Sequence, residues 1–464
     1  MANSTIAEKI AQAETERQRI AANIAAAYTE AEAKGATMPA TENSANLPTA
    51  IRSIPEAVQP TLITKQITEN GTYTAADDNA DGYSEVTVEV GTPPVEEKYI
   101  NFIDDDGTIL YSWTEQELLE ATELPPLPEE EGWIYQEWTW TLQEIKDNKF
   151  PMDVGVSRTP SNGASVRADC YFLENDNKNI YIMFNAKNDI VDVDWGDGTV
   201  DAYTFDSQSY LSQRVTVNHT YAKAGKYTIY LTLRNKTGKI SYFSPDMQGE
   251  NNNILGARIT LIGLGDDYEY IDSYNLYGMV GLKRLSLANG IKKIEGADWL
   301  NGCCTLKCVC FPRSISPTAY QRTFYNTAAI EHIILPPNAN ISAAQFITNG
   351  TSIKRFNVPR SMNLLPIFNQ SFGLLYIYIP KSITKIQSNS FAGIRKLQFV
   401  DLSDYDDPTK IPILDNVNAF NHTNPNAKLY VRNQSMLDAF AGATNWSTYA
   451  SQFVIGGKFA EVTS

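Results

Sequence analysis

The chain has 464 residues, too many for one hydrophobic core, so several domains are expected. Its apolar fraction of 43% excludes a disordered chain, and a net charge of −16 argues against nucleic acid or anionic lipid as the main partner. Three histidines leave little material for histidine-based catalysis or metal sites.

The first residues, Met1 to Tyr28, lack the basic start and apolar run of a signal peptide. Nowhere do 18 consecutive apolar residues occur, so no membrane insertion is expected. An external role would then require release by another route, as for a virion component freed by lysis. A cytoplasmic protein meets the same condition. Residues 1–34 read as a helix. Ile6, Ile10, Ala13, Ile20, Ile24, Ala27 and Ala31 follow 4-3 spacing, interrupted by Arg17. Such a narrow seam suits a short coiled coil, with Ile6, Ile10, Ile20 and Ile24 as oligomerisation residues and a trimer among the arrangements it allows. A single docking helix is the alternative. The segment 1–57 is taken as a helical anchor.

Residues 58–92 change period and form a small β-strand module with Asn70-Gly71 and Asp81-Gly82 as turn signals. The N-terminal helix, "LPTAIRSIP" and "ITENGTYTAADDNADGYSEVTVEV" together resemble the N-terminal region of tail-fibre and other virion-surface proteins of bacteriophages. The resemblance covers about the first 90 residues. It implies an N-terminus bound to other virion proteins, on tail or head.

Beyond the linker Thr92-Pro93-Pro94, residues 97–152 read as another small β module, similar to the internalin-type B-repeat. Asp104, Asp105 and Asp106 read as a solvated hairpin turn in preference to a calcium loop, since further carboxylates do not follow at EF-hand spacing. Glu129, Glu130 and Glu131 read as exposed charge.

The stretch 190–199 is an alternating strand entering the turn Trp195-Gly196-Asp197-Gly198, followed by His219, Tyr221 and a second alternating strand from Tyr227. This resembles the polycystic-kidney-disease (PKD) domain, an immunoglobulin-like β-sandwich, over residues 160–242. The resemblance implies that Trp195 fills the core, that Asp194 and Asp197 bond turn amides, and that these acids and His219 serve architecture rather than catalysis.

From residue 250 to 464 the chain is periodic. Six segments fit [LI]-x-x-[LVIF]-x-[LVIF], and their last apolar positions (Leu287, Phe311, Leu335, Val358, Ile379, Leu402) step by 24, 24, 23, 21 and 23 residues. Each unit is one short strand and a return segment, and stacking joins their apolar sides into one core. An aromatic recurs after the strand, at Phe324, Phe346, Phe372 and Phe391. The pattern resembles BspA-type leucine-rich repeats, with Trp446 and Tyr449 in a terminal cap. Cys303, Cys304, Cys308 and Cys310 fall inside the repeats at C-C-x3-C-x-C spacing, which reads as repeat residues and not as a metal site.

The register names two outward columns. One runs Arg284, Cys308, His332, Arg355, Tyr376, Phe399; the other runs Ser286, Cys310, Ile334, Asn357, Tyr378, Asp401. Arg284, His332, Arg355, Tyr376, Tyr378 and Phe399 are the candidate ligand-binding residues, suited to protein or glycan. G-x-S-x-G, H-E-x-x-H, P-loop and G-x-G-x-x-G motifs are lacking. The expectation is a non-enzymatic, mainly β, multi-domain virion-surface protein without cofactor. Its N-terminal helix or coiled coil anchors it, small β modules and an Ig-like PKD β-sandwich space it, and its C-terminal leucine-rich-repeat solenoid binds the host cell surface. A capsid-decorating head fibre and a bacterial surface adhesin are the alternatives.

Overall fold

The computed structural model describes residues 6–53, 62–67, 82–88, 99–206, 214–245, 257–272, 274–294, 297–315, 322–339, 346–347 and 351–461. For residues 6–13, 62–67, 82–88 and Tyr270 the backbone alone is described. The chain is mainly β. It divides into two compact units, Met1–Val95 and Glu96–Ser464.

In the first unit, a helix spans Ile6–Ala33. Its last turns bury Tyr28 and Ala31, the short helix Leu47–Arg52 buries Ala50, and the Tyr28 hydroxyl donates to the Asn43 carbonyl at 2.8 Å. Ala31, a seam position, is thus covered by its own chain. Ile20 remains 53% exposed. The side chains of Ile6 and Ile10 lie outside the described residues. Strands Leu62–Ile67 and Gly82–Val88 pair in parallel, so the pair is not a hairpin. Gly82, expected in a turn, opens a strand instead. The Asn70-Gly71 turn and the Thr92-Pro93-Pro94 linker lie outside the described residues.

The second unit begins with the β module. Strands Ile109–Trp113, Ile100–Ile103 and Met152–Val154 form one sheet, and Trp133–Trp138 pairs with Val156–Pro160. Two short helices, Glu115–Glu120 and Leu142–Asn148, each start with a capping box, Thr114 with Glu117 and Thr141 with Glu144. The small core holds Phe102, Trp138, Trp140, Ile145 and Met152. The expected end at 152 is too early, because Val156–Pro160 completes the module by pairing with Trp133–Trp138.

Next comes a β-sandwich. Its three-stranded sheet orders Val215–Thr220, Asn179–Lys187, Lys239–Pro245. The opposing sheet orders Val200–Phe205, Asp189–Asp194, Gly225–Leu233, Val166–Phe172, and then continues into Ile259–Leu264 and Arg284–Leu287. Ile259–Leu264 is antiparallel to the sandwich strand Val166–Phe172 and parallel to the first repeat strand Arg284–Leu287. Sandwich and solenoid therefore share a sheet, and one apolar cluster runs from Val166 to Phe453.

The motif residues hold the sandwich turn. Trp195 is buried, its Nε1 donating to Asp201 at 2.8 Å, and His219 stacks on it at 4.9 Å. Asp194 and Asp197 accept the Gly196 and Thr199 amides at 2.9 and 3.0 Å. His219 Nε2 meets Asp197 at 2.8 Å. The Tyr221 hydroxyl donates to the Trp195 carbonyl at 2.9 Å, and its ring stacks on Tyr227 at 3.9 Å. Gly196 has φ +79, and a Cβ there would strike the Thr228 backbone, while Gly198 has φ +94.

The main ladder strands after Arg284–Leu287 are Cys308–Cys310, His332–Ile334, Tyr376–Tyr378, Phe399–Asp401, Lys428–Val431 and Phe453–Ile455, with short pairs Tyr270–Ile271/Lys293–Ile294 and Lys385–Ile386/Ile413–Leu414 beside them. The rung at Ile353–Val358 keeps its inward residues buried without a strand. The inward leucines, isoleucines and valines are buried, each worth about 1.5–3 kcal/mol relative to exposure. Behind them runs a phenylalanine column in which Phe324 meets Phe346 at 5.2 Å and Phe391 meets Phe420 at 4.9 Å. Phe368 fills the place expected for Phe372, stacking on Phe391 at 6.1 Å, while Phe372 is 54% exposed. At the end, the helix Gln434–Gly442 buries Met436 and Phe440 beside Trp446, whose Nε1 donates to the Pro412 carbonyl at 2.8 Å.

Candidate functional site: the outer face of the repeat ladder

Period two along each rung sends one set of side chains into the solenoid core and the other outward. The outward set was expected to meet solvent. Much of it instead meets the β module.

Arg284 on the first rung reaches Asp104 at 2.8 Å and Glu130 at 2.9 Å and also pairs with Asp105. Arg158 of the module, fully buried, lies 2.7 Å from Asp105 and 2.6 Å from Glu130. Ser286 donates to Asp105, and the Tyr135 hydroxyl to Asp104 at 3.1 Å. Burial raises the Asp105 carboxyl against the pull of Arg158 and Arg284. Burial works against the Arg284 charge, yet Asp105 and Asp104 raise its pKa. The expected solvated turn at Asp104–Asp106 is therefore corrected. The turn exists, closed by Gly107 N to Asp104 O at 3.0 Å, but Asp104 and Asp105 are buried ion-pair partners. Glu130 likewise is not free exposed charge.

On the following rungs, Cys308, Cys310 and Ile334 form a small buried cluster with Ile103 of the module. Gly155 passes so close that a Cβ would stand 2.8 Å from Cys310 Cβ and 3.1 Å from Ile334 Cδ1. The two sulfurs are 3.6 Å apart, and burial pushes the Cys308 thiol up. Cys303 donates to the Leu276 carbonyl at 3.2 Å, and Cys304 is exposed. Among the described residues, no three His, Cys, Asp or Glu side chains come together as metal ligands.

His332 Nδ1 meets Asp153 at 2.9 Å, and Arg355 pairs with the same carboxylate. Burial alone would raise Asp153, but Arg355 and His332 hold it down at about 2. Further along, Phe150 packs on Tyr378 at 5.4 Å and on Phe459 of the C-terminal segment at 5.3 Å. Asp401 is buried beneath that segment, accepting the Lys458 and Ser403 amides at 2.7 and 2.8 Å.

Arg284, His332 and Arg355 are thus corrected from ligand-binding residues to intramolecular contacts, because module carboxylates already bond to them. Tyr378 is half-buried against Phe150. Tyr376 and Phe399 stay half-exposed, their rings stacked at 5.2 Å with planes 7° apart. Phe399 also meets Tyr378 at 5.8 Å and Tyr430 at 5.4 Å. In the ladder register Phe399 is followed by Lys428 and Asp401 by Tyr430. Lys428 and Tyr430 are absent from the columns named by the sequence because the six-segment pattern stops at Leu402. Counting "KLYV" as one more rung places Lys428 beneath Phe399.

Residues 255–431 match the model of the BspA type leucine rich repeat region, in 6 copies over 255–372 and 366–431. The repeats over residues 255–431 are thus of the BspA type. Solved structures are similar to parts of the chain. A leucine rich repeat protein of T. pallidum is 18% identical, with 30% of this chain and 72% of that chain covered and a TM-score of 0.27. A leucine rich cell surface protein of Faecalibacterium prausnitzii is 17% identical, with coverages of 31% and 55% and a TM-score of 0.23. A leucine-rich repeat protein of Bacteroides ovatus is 15% identical, with coverages of 37% and 55% and a TM-score of 0.23. The chain spans about half the length of the last two. No curated protein matches the chain.

Proposed function

We propose that this chain is a non-enzymatic recognition protein of a particle or cell surface, holding ligand on the uncovered part of its BspA-type ladder. One observation carries the reading. The first rungs are sealed by the chain's own module, while Tyr376, Phe399, Tyr430 and Lys428 keep a half-exposed aromatic and cationic strip on a rigid sheet. The ligand is a host cell-surface protein or glycan.

The finer reading is a bacteriophage fibre of the tail-fibre type, supported by the resemblance of the first 90 residues to virion-surface proteins. In it the N-terminal helix binds other virion proteins and self-associates through Ile6, Ile10, Ile20 and Ile24. The PKD-like sandwich and the internalin-like module act as spacers. A head fibre or a bacterial surface adhesin shares the same recognition chemistry. Immunogold labelling of intact phage particles carrying the gene tests the location. Label on the tail tip supports the fibre, label on the head moves it to capsid decoration, and unlabelled particles overturn the virion reading. Binding of the full chain to host cells tests recognition. It is expected to fall at least about tenfold in Tyr376→Ala/Phe399→Ala, and undiminished binding by a folded double variant overturns the role of the strip.

A further inference from the structure

The ladder strip has a chemistry narrower than aromatic contact. Tyr376 and Phe399 are cross-strand partners whose ring planes lie 7° apart at 5.2 Å. They spend their facing surfaces on each other, and Tyr378 and Tyr430 pack on Phe399 from two further directions. A ligand arriving from solvent therefore meets ring edges and phenol hydroxyls rather than open ring faces. Ring edges carry the positive end of the aromatic quadrupole. On the far side of Tyr376 stands Arg355, which hydrogen-bonds its hydroxyl.

The next residue in the same column is Lys428, directly across from Phe399. It is exposed and forms no ion pair among the described residues. The rungs Phe399–Asp401 and Lys428–Val431 hold one carboxylate, Asp401, and the C-terminal segment covers it: 1% exposed, bonded to Ser403 and to the Lys458 amide. In a chain of net charge −16, these two rungs thus present Lys428 with no exposed acid of their own. Parallel strands are about 4.8 Å apart, close to the width of one sugar ring. A ring seated against the edges at Phe399 thus places an acidic substituent above Lys428, where a charge-assisted hydrogen bond forms.

We infer that the strip recognises an acidic glycan, a pyranose carrying a carboxylate, with the ring against Tyr376 and Phe399 and the carboxylate on Lys428. The inference rests on the recognition reading above. A glycan array pairing hexuronate oligomers with their methyl esters tests it on the full chain. The esters keep the ring and lose the charge. The acid is expected to bind about tenfold tighter than its ester, and the preference weakens with added salt. Lys428→Ala removes the preference and Lys428→Arg retains it. Equal binding of acid and ester, a preference that survives Lys428→Ala, or binding to no acidic glycan overturns the inference. The broader reading fails separately, when Tyr376→Ala/Phe399→Ala binds whole cells as the unaltered chain does.

Discussion

Arg284 and Arg158 share two carboxylates, those of Asp105 and Glu130, and Arg284 also holds Asp104, in a site where Arg158 and Asp105 are nearly inaccessible. Buried ions stabilise little on balance, because desolvation offsets their attraction, but removing one partner strands the others. Arg284→Ala is therefore expected to cost about 3–5 kcal/mol, read by urea unfolding. Adding Asp105→Asn should restore part of the loss, and strictly additive costs in this double-mutant cycle would refute the coupling. Asp153 gives a pH signature. Its carboxyl is held at about 2 against an ordinary 3.8, so the folded state binds the proton more weakly than the unfolded chain. Its stabilisation, about 2 kcal/mol, is present above pH ~4 and lost as pH falls toward 2. Asp105 acts with opposite sign. Raised by burial, it favours the fold when protonated, and its contribution declines as pH rises past ~4. Asp153→Asn should flatten the acid limb below pH 4, and an unchanged limb would show that the carboxylate is not held as described.

At the scale of elements, the module fits against the ladder because a glycine of the module leaves room for ladder side chains. Gly155 lets the strand region between Met152–Val154 and Val156–Pro160 lie against Cys310 and Ile334, where a Cβ has no room. Overpacking of this kind typically costs about 1–3 kcal/mol. Gly155→Ala is expected to lower the melting temperature and to open Cys308 and Cys310 to thiol reagents under native conditions. In the unaltered chain Cys304 is exposed and should label first. Labelling confined to Cys304 in the variant would mean the interface absorbs the methyl elsewhere. The rungs were legible in the sequence because their period is local and repeated, and inward residues such as Leu285, Val400 and Leu402 are apolar for a reason visible within each unit. Their cover was not. It depends on Asp104, Asp105 and Asp153, some 180–200 residues away from Arg284 and Arg355, and a run of aspartates looks the same whether water or arginine neutralises it. Arginines in outward columns of an acidic chain were the available signal.

For the whole molecule, the shared sheet changes how unfolding should proceed. An ordinary solenoid gains stability rung by rung and frays from its ends. Here the first rung is bonded to Ile259–Leu264 and through it to the sandwich strand Val166–Phe172. The last rungs are closed by the segment after Ile455, where the Phe459 amide donates to Ser403 at 2.9 Å and Phe459 packs on Phe150 of the module. The module in turn bonds along the ladder, through Trp140 Nε1 to the Leu335 carbonyl at 2.8 Å and Arg360 to the Asn148 carbonyl at 3.1 Å. Neither end is free to open without breaking contacts to the middle. Residues 99–461 should therefore unfold as one cooperative body, with hydrogen exchange in Ile100–Ile103 as slow as in Tyr376–Tyr378 under conditions where global opening dominates. Removing residues 456–464 should release the last rungs and speed exchange at Lys428–Val431 first, leaving Ile259–Leu264 slow. Exchange in Ile100–Ile103 that outpaces the ladder in the full chain would mean that the module folds on its own and only rests on the repeats.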